Sequence, residues 1–379
     1  MRLLIAGGRL QAAEAVYLAK KAGWTTIVAD RRENAEASLM CDEFHCVEIE
    51  NEAATLPLVE KADAVLPALE NLSAVSRLEE YCRKSGKPFL FDLNAYLLSS
   101  SKLKSDDFFR ENDIPAPLHY PKAGFPLIAK PDGQSGSVGV RLILNQEELN
   151  KVDSGWVIQE YLSGRSYSLE VVGDGKSFNL LQVTEIITDK DYDCECVIAG
   201  GDIPACVERE FYAIGARLGE LIRVNGVFDI EVIASGGGLR VIEIDARLPS
   251  QTPISVYHSS GVNILELMLN YRDFAAKIQR KKTAIYRQIH VSEKGIVSKG
   301  ERILTGRGPL LIKDGLFGAE SMITDYAPDK KEWVAAVIVT GKSQSDAEEK
   351  FRVCVDNIRG NFTERAFSCQ GSNPRKSPI

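Results

Sequence analysis

Four carboxylates stand in two closely spaced pairs within residues 226–253 of this 379-residue chain. The four are Asp229, Glu231, Glu243 and Asp245. Each pair lies in or beside an apolar run, 227–233 or 239–244, and glycines at 236–238 separate the runs, which predicts two strands joined as a β-hairpin. Because residues two apart on a strand share a face, each pair is expected to point to one side. Oxygen ligands without histidine or cysteine favour Mg²⁺, which proteins usually share with substrate phosphates.

Charge around the hairpin supports a metal and phosphate site. Carboxylates pressed together repel one another and resist ionisation unless a cation lies among them. Arg247 follows two residues after the second strand, where its guanidinium group is suited to hold a phosphate or a carboxylate. The alternative is a solvated hairpin with an acidic outer face, but the strongly apolar residues Val241, Ile242 and Ile244 argue against it.

The overall composition is that of an ordinary globular protein long enough for two or three domains, with 44% hydrophobic and 26% charged residues. No apolar run approaches the roughly 20 residues that a bilayer span needs. The opening MRLLIAGG reaches glycines too soon for a signal peptide, so we expect a cytoplasmic protein. A net charge of −7 argues against nucleic-acid binding. The eight cysteines contain no C-x-x-C pair and the four histidines are scattered, so we expect no zinc site.

The N-terminal part alternates strand and helix patterns, which is typical of a doubly wound parallel sheet. Strands at 2–6 and 25–29 flank a helical pattern, but the turn between them lacks the third glycine of G-x-G-x-x-G, so a nicotinamide enzyme is not favoured. Glu70 and Asn71 follow the strand at 64–67, and ligands of parallel sheets gather at such carboxyl ends. Glu70 is therefore placed either to bind a substrate ammonium or to favour the start of a helix that Asn71 caps.

Lysines occur in two settings that suit phosphate. Lys102 and Lys104 stand at the start of a predicted helix, where a positive charge is unfavourable because it opposes the helix dipole. Binding of a phosphate would explain why lysines occur there. The run 126–140 is a strand ending at Lys130 and a loop of small residues, whose backbone amides can fold over phosphates. Ordinary surface lysines and an unremarkable β-turn are the alternatives. The acidic run 189–196 is either a solvated turn or an attraction for a cationic substrate.

The run G-V-F-D-I-E-V…V-I-E-I-D-A-R-L-P at 226–249 resembles the metal-binding hairpin of the ATP-grasp family of carboxylate–amine ligases. In that family, acidic residues on neighbouring strands carry Mg²⁺ ions that bridge the phosphates of ATP. The usual last ligand there is Asn, whereas this chain has Asp245, which adds negative charge. The resemblance extends to about residue 363.

The resemblance implies an α/β protein with the ATP-grasp fold in three parts. We expect a doubly wound, Rossmann-like domain at 1–98 and a central ATP-grasp domain at 99–282 that contains a mobile lid at about 113–165. A small β-rich domain is expected at 283–365. The polar, proline-containing tail at 366–379 is expected to be disordered.

The resemblance also implies roles for individual residues. Nucleotide contacts are expected from Leu10, Gln11, Lys102, Lys104, Lys130, Ser135, Ser137, Glu160, Tyr161, Leu162 and Glu170. Substrate contacts are expected from Glu70, Ser168, Tyr192, Asp193, Asp229, Arg247, Ser250, Gln251 and Thr252. The expected metal ligands are Glu231, Glu243 and Asp245, and the expected catalytic residues are Arg247 and Lys130.

The implied activity is an ADP-forming ligation with ATP and Mg²⁺ as cofactors, and a pair of ions is expected. It joins the carboxylate of (3R)-3-methyl-D-ornithine to the ε-amine of L-lysine through an acyl phosphate, in the biosynthesis of pyrrolysine. The expected partners are these small molecules, with no nucleic acid and no membrane. Two alternatives stay open: another ATP-grasp ligase or carboxylase, of the biotin-carboxylase or purine-pathway type, and a nucleotide-binding sensor without catalysis.

Overall fold

A computed structural model of the chain describes residues 1–133, 136–271 and 282–370, with side chains described up to residue 361. Ser135, predicted to contact the nucleotide, therefore lies outside the described residues, as does the end of the predicted disordered tail. Within the described ranges, no helix combines the length and the apolar character that a bilayer span requires.

The predicted doubly wound N-terminal domain is present as a four-stranded parallel sheet flanked by helices. Its strands are β1 (Arg2–Ala6), β2 (Thr25–Asp30), β3 (Glu43–Cys46) and β4 (Ala64–Pro67), and its helices are α1 (Leu10–Lys21), α2 (Glu52–Lys61) and α3 (Leu72–Ser85). The strand order is β3-β2-β1-β4. Continuous apolar strands of this kind are buried on both faces, because crossover helices cover them. The side chain of Asn71 accepts a hydrogen bond from the Ala74 amide at 3.1 Å, which confirms it as the cap of α3.

A small subdomain follows two connecting helices. The connecting helices are α4 (Leu93–Ser99) and α5 (Lys102–Glu111), and the subdomain contains β5 (Leu127–Lys130), β6 (Arg141–Ile143), α6 (Gln146–Leu149) and β7 (Val157–Glu160). The three strands form an antiparallel sheet in the order β6-β5-β7. This sheet has a hydrophobic core of its own around Leu127, Ala129 and Ile143, as a lid that moves as a unit requires. Its mobility stays a prediction.

The rest of the chain builds one large sheet of eleven strands. The strands are β8 (Arg165–Asp174), β9 (Phe178–Leu180), β10 (Thr184–Thr188), β11 (Cys194–Ala199), β12 (Asn225–Ser235), β13 (Gly238–Asp245), β14 (Thr283–Ser292), β15 (Gly295–Ser298), β16 (Leu311–Asp314), β17 (Ser321–Thr324) and β18 (Trp333–Gly341). The helices are α7 (Ala205–Ile222), α8 (Thr252–Ser260), α9 (Ile264–Leu269) and α10 (Gln344–Gln370). The main order is β13-β12-β8-β10-β11-β14-β18-β17-β16, with β9 on β8 and β15 on β14.

Two observations concern the predicted domain boundaries, which stay a prediction. The segment 283–365 does not form a separate sheet, because β14 pairs with β11 and continues the large sheet across residue 282. Alternation in a sequence marks strands but does not say which neighbour they pair with. Helix α10 extends to Gln370 and so enters the tail predicted to be disordered. Nothing in 361–370 stops a helix, since the first proline beyond it is Pro374.

Candidate active site

The predicted hairpin is confirmed, and it carries two rows of polar side chains. Strand β12 pairs antiparallel with β13 on one edge and with β8 on the other. The rows that run across the three strands are Glu170–Asp229–Asp245 and Ser168–Glu231–Glu243. Side chains opposite one another on antiparallel strands lie on one face, about 5 Å apart at Cβ. We call the six residues of these rows the acid face.

A bulge at the end of the acid face admits a lysine. The pairing shifts after Glu231, which leaves Ile242 as an extra residue on β13. The Lys130 ammonium group donates to the Ile242 carbonyl oxygen at 3.2 Å, and the Lys102 ammonium lies 2.6 Å from Glu243 Oε1. Burial lowers the pKa of Lys130, and the Glu243 carboxylate opposes that shift. Two cations from different segments therefore meet the same acidic row.

Arg247 links the other acidic row to the N-terminal domain. Its Nη2 lies 2.6 Å from Asp245 Oδ2 and its Nε lies 2.8 Å from Glu70 Oε1. The same Glu70 oxygen accepts a hydrogen bond from Gln11 Nε2 at 3.0 Å. Burial alone would lower the pKa of Arg247, but Asp245, Glu70 and Asp229 raise it, so the group stays charged. Glu70 is thus an ion-pair partner of Arg247, a role that the sequence did not suggest.

Burial and mutual repulsion perturb the carboxylates of the acid face. Burial raises the pKa of Glu231 and of Asp245 to about 7 each, with the Glu243 carboxylate adding to both shifts. The pKa of Asp229 lies well above its usual range because the group is buried beside Asp245 and Glu231. Burial also raises the pKa of Glu170 to about 7. Carboxylates in this state share protons near neutral pH unless a cation joins them.

The donor set of the acid face fits Mg²⁺. Asp229 is only 6% exposed, and its Oδ1 is buried without a hydrogen-bond partner. A hard cation that accepts only oxygen ligands would satisfy such an atom. In the described part of the chain, no three acidic, histidine or cysteine side chains already converge on one point as a finished metal cage. Glu243 is drawn to Lys102 and Asp245 to Arg247, which explains the incomplete convergence. The metal assignment therefore stays a prediction.

Two adjoining cavities open on the acid face. The larger, of about 260 Å³, lies between the β6-β5-β7 sheet and the large sheet, and the smaller has about 130 Å³. The predicted nucleotide residues that line the larger cavity are Lys102, Lys130, Ser137, Glu160, Tyr161 and Leu162. The predicted substrate residues that line the smaller cavity are Ser168, Tyr192, Asp193, Asp229, Arg247, Ser250, Gln251 and Thr252. Glu231 and Glu243 line both cavities, so two of the three predicted metal ligands stand where the cavities meet, and Asp245 lines the smaller one.

Some predicted contacts lie away from both cavities. The described residues that line neither are Leu10, Gln11, Glu70, Lys104 and Glu170. Leu10 faces a small void beside Ser250 and Glu301, and Gln11 binds Glu70, so the two lie on the side of the smaller cavity and away from the larger one. The loop after β1 was expected to reach the nucleotide. In the structure the larger cavity is lined instead by residues of the subdomain that contains β5, β6 and β7.

Gln159 and Glu301 are polar residues of the cavity walls that sequence reasoning missed. Gln159 lines the larger cavity, where its Nε2 donates to both carboxylate oxygens of Asp106 at 2.9 Å and its Oε1 is buried without a partner. Glu301, in the 3-10 helix Glu301–Ile303, lines the smaller cavity. Its carboxylate accepts hydrogen bonds from Ser250 Oγ and Gln251 Nε2 at 2.8 and 2.7 Å. No local motif marks Glu301, since its partners are some fifty residues earlier in the chain.

Helix α8, which begins at the wall of the smaller cavity, is fixed by a buried acid of α1. Glu14 is 2% exposed, and its Oε1 accepts a hydrogen bond from the Ile254 amide at 2.8 Å. Burial raises the pKa of Glu14 to about 8, and the amide hydrogen bonds of Ile254 and Gln251 oppose the shift. Glu14 therefore keeps its proton to a higher pH than an exposed glutamate does, and it anchors the segment that holds Gln251 and Thr252.

We expect Glu14→Gln to change how stability depends on pH. A carboxyl group with a raised pKa in the folded state stabilises the fold below its unfolded pKa and loses that contribution as the pH rises through its folded pKa. For Glu14 the loss spans about pH 4.5 to pH 8, at up to about 1.4 kcal/mol per pH unit. Glutamine does not titrate, so the variant should lack this slope. Urea unfolding between about pH 5 and 8 measures it. The exposed Glu79→Gln variant is the control, and an equal slope in Glu14→Gln and wild type would contradict the assignment.

A family model and a related ligase both match this chain. Residues 99–251 match a family model described as an ATP-grasp domain. The chain is 36% identical over 368 residues to a 3-methyl-D-ornithine–L-lysine ligase of Methanosarcina acetivorans, which covers 95% of this chain and 98% of that protein.

Solved structures share the fold at low identity. The biotin carboxylase domain of Hydrogenobacter thermophilus 2-oxoglutarate carboxylase, in complex with MgADP, aligns with a TM-score of 0.71 at 17% identity over 93% of this chain and 89% of that chain. The L-amino acid ligase of Bacillus licheniformis aligns with a TM-score of 0.68 at 16% identity over 94% of this chain and 97% of that chain.

Proposed function

Because this chain belongs to the ATP-grasp family of carboxylate–amine ligases, we propose that its two cavities bind ATP and an amino acid on either side of the acid face. The reaction proposed is the one named for the Methanosarcina relative, in which 3-methyl-D-ornithine is joined to L-lysine. The observation that carries the proposal is that Glu231 and Glu243 line both cavities, with lysines on one side and Arg247 on the other. That arrangement suits transfer of a phosphoryl group from one cavity to the other.

In the first step, a carboxylate oxygen of the D-amino acid attacks the γ-phosphorus of ATP, the bond from that phosphorus to the β–γ bridging oxygen breaks, and ADP leaves an acyl phosphate behind. Lys102 and Lys130 from the larger cavity and Arg247 from the smaller one surround the transferred group and offset its negative charge. The chemistry that Mg²⁺ supplies, when held by Glu231 and its neighbours, is further neutralisation of phosphate charge.

In the second step, the ε-amine of lysine attacks the acyl carbon, so that the C–N bond forms and the C–O bond to phosphate breaks. The lysine nitrogen loses a proton, and phosphate leaves with the oxygen that belonged to the carboxylate. The protein mainly positions the two amino acids and excludes water from the acyl phosphate. Asp229, which has a buried oxygen without a partner, is suited to bind a substrate ammonium or a metal ion.

An assay of ADP release tests the proposal. We expect sustained release only when D-ornithine and L-lysine are both present, together with a product whose mass equals their sum less one water. Release that depends on bicarbonate would favour the carboxylase alternative. Nucleotide binding without release under any of these conditions would favour a sensor, and either result contradicts the proposed ligation.

A further inference from the structure

Glu301 is an acid of the smaller cavity that stands apart from the acid face. One oxygen, Oε2, accepts both of its hydrogen bonds, from Ser250 and Gln251. Glu301 lines the cavity, and Oε1 is the oxygen of its carboxylate that has no hydrogen bond from the described residues.

The surroundings of Glu301 hold it in place. Gln251 has positive φ of 72°, a conformation that a residue other than glycine rarely adopts, and it is 3% exposed. Its Oε1 accepts a hydrogen bond from Cys194 Sγ at 3.0 Å, while its Nε2 donates to Glu301. A Cβ on Gly300 would lie 2.1 Å from Asp193 Cγ, so the backbone just before Glu301 packs closely against Asp193, the residue before β11. A residue with a strained backbone and a buried side chain whose oxygen and nitrogen are both hydrogen-bonded is typical of a binding site.

Several other acids near the cavity already have protein partners. Asp245 is paired with Arg247 and Glu243 with Lys102. Asp193 accepts a hydrogen bond from the Arg302 amide at 3.0 Å. Asp229 and Glu231 belong to the acid face, where phosphate and metal charge are expected. Glu301 is therefore the carboxylate best placed to meet a positive charge on the part of the substrate that points away from the acid face.

We propose that Glu301 binds the side-chain ammonium of the amino acid whose carboxylate is activated, and that it thereby selects a diamino acid. The inference rests on the proposed function, which places the reacting carboxylate beside Arg247 and the acid face. The rest of that molecule then extends along Ser250 and Gln251, whose side chains both end on Glu301. An ammonium there gains a charge-assisted hydrogen bond with Oε1. A neutral side chain of the same shape leaves the carboxylate without a partner in a confined cavity, and such sites reject the neutral analogue strongly.

Equilibrium binding tests the inference without turnover. D-ornithine and D-norvaline differ by one ammonium group, and each is titrated by calorimetry into the protein with Mg²⁺ and a non-hydrolysable ATP analogue. We expect wild type to prefer D-ornithine by about 10²-fold or more. In Glu301→Gln the preference should fall to within about tenfold, because the amide carries no charge. Glu293→Gln is the matched control, since Glu293 is an exposed acid of the same segment paired with Lys331, and it should keep the wild-type preference.

A second variant guards against a folding defect. Glu301→Asp keeps the carboxylate, but the side chain is one methylene shorter. The variant should therefore bind D-lysine, which is one methylene longer, more tightly than D-ornithine, which reverses the wild-type order. A residue that only supports the fold would not reverse a length preference. An unchanged ratio of D-ornithine to D-norvaline binding in Glu301→Gln, or no reversal in Glu301→Asp, would overturn the inference.

Binding and turnover measurements distinguish the role of Glu301 from the proposed ligation. If wild type prefers D-ornithine through Glu301 but releases no ADP with L-lysine, the proposed ligation is wrong and the inference stands. If ADP release needs both amino acids while Glu301→Gln still discriminates, the inference is wrong and the ligation stands. If wild type does not prefer D-ornithine over D-norvaline, the inference is wrong whatever the activity.

Discussion

Glu243→Gln is expected to lower the rate of ADP release by about 10²-fold or more, with little change in the melting temperature. Glu243 lines both cavities and pairs with Lys102 at 2.6 Å, so its charge serves the metal and holds a lysine beside the phosphates. The side chain is 32% exposed, and its amide analogue has the same shape, so the fold should tolerate the change.

The dependence on Mg²⁺ separates a metal ligand from a structural residue. If Glu243 binds the ion, the variant should need a higher Mg²⁺ concentration for half-maximal rate, and added Mg²⁺ should restore part of the activity. Glu220→Gln is a suitable control, because Glu220 is an exposed acid on α7, away from both cavities. Wild-type ADP release by Glu243→Gln at limiting Mg²⁺ would show that the metal assignment is wrong.

Arg247→Lys is expected to reduce kcat by about 10²-fold although it keeps the positive charge. The guanidinium group spans Asp245 and Glu70 at 2.6 and 2.8 Å, and a single ammonium cannot hold both carboxylates in that geometry. Because the role proposed for Arg247 is strongest while the phosphoryl group moves, the loss should appear in kcat more than in the KM for ATP.

The same hairpin offers a matched control for this variant. Arg240 lies at the turn, where its Nη1 donates to the Gly237 and Leu239 carbonyl oxygens at 3.1 and 3.0 Å. Arg240→Lys should retain activity within about twofold, since it touches neither cavity. Equal kcat values for Arg247→Lys and wild type would remove Arg247 from the reaction.

The parts of the fold that sequence reasoning predicted are those that local patterns determine. Period-two alternation and the glycines at 236–238 predict a hairpin with a pair of carboxylates on one face of each strand, and the structure confirms the hairpin. The pairing of Asp229 with Asp245 and of Glu231 with Glu243 depends on the bulge at Ile242, which alternation does not indicate. The ATP-grasp fold expected from the same residues is confirmed by the family match and the solved structures.

Tertiary pairing accounts for what was not predicted. Strand β8 brings Glu170 beside Asp229, but nothing near residue 170 in the sequence indicates that partner. Glu70 reaches Arg247 across two domains, and Glu301, which follows β15, reaches Gln251, which follows β13. The alternating pattern also does not indicate that β14 pairs with β11. This pairing continues the large sheet across residue 282.

The central claim is that the carboxylate of a D-amino acid in the smaller cavity attacks the γ-phosphorus of ATP bound in the larger one. The most direct test uses D-ornithine whose carboxylate carries a heavy oxygen isotope, incubated with ATP, Mg²⁺ and L-lysine. Mass spectrometry of the phosphate released then follows the labelled oxygen. The account predicts that each phosphate formed carries one labelled oxygen from the carboxylate. Phosphate without label, released together with ADP and amide, would contradict it.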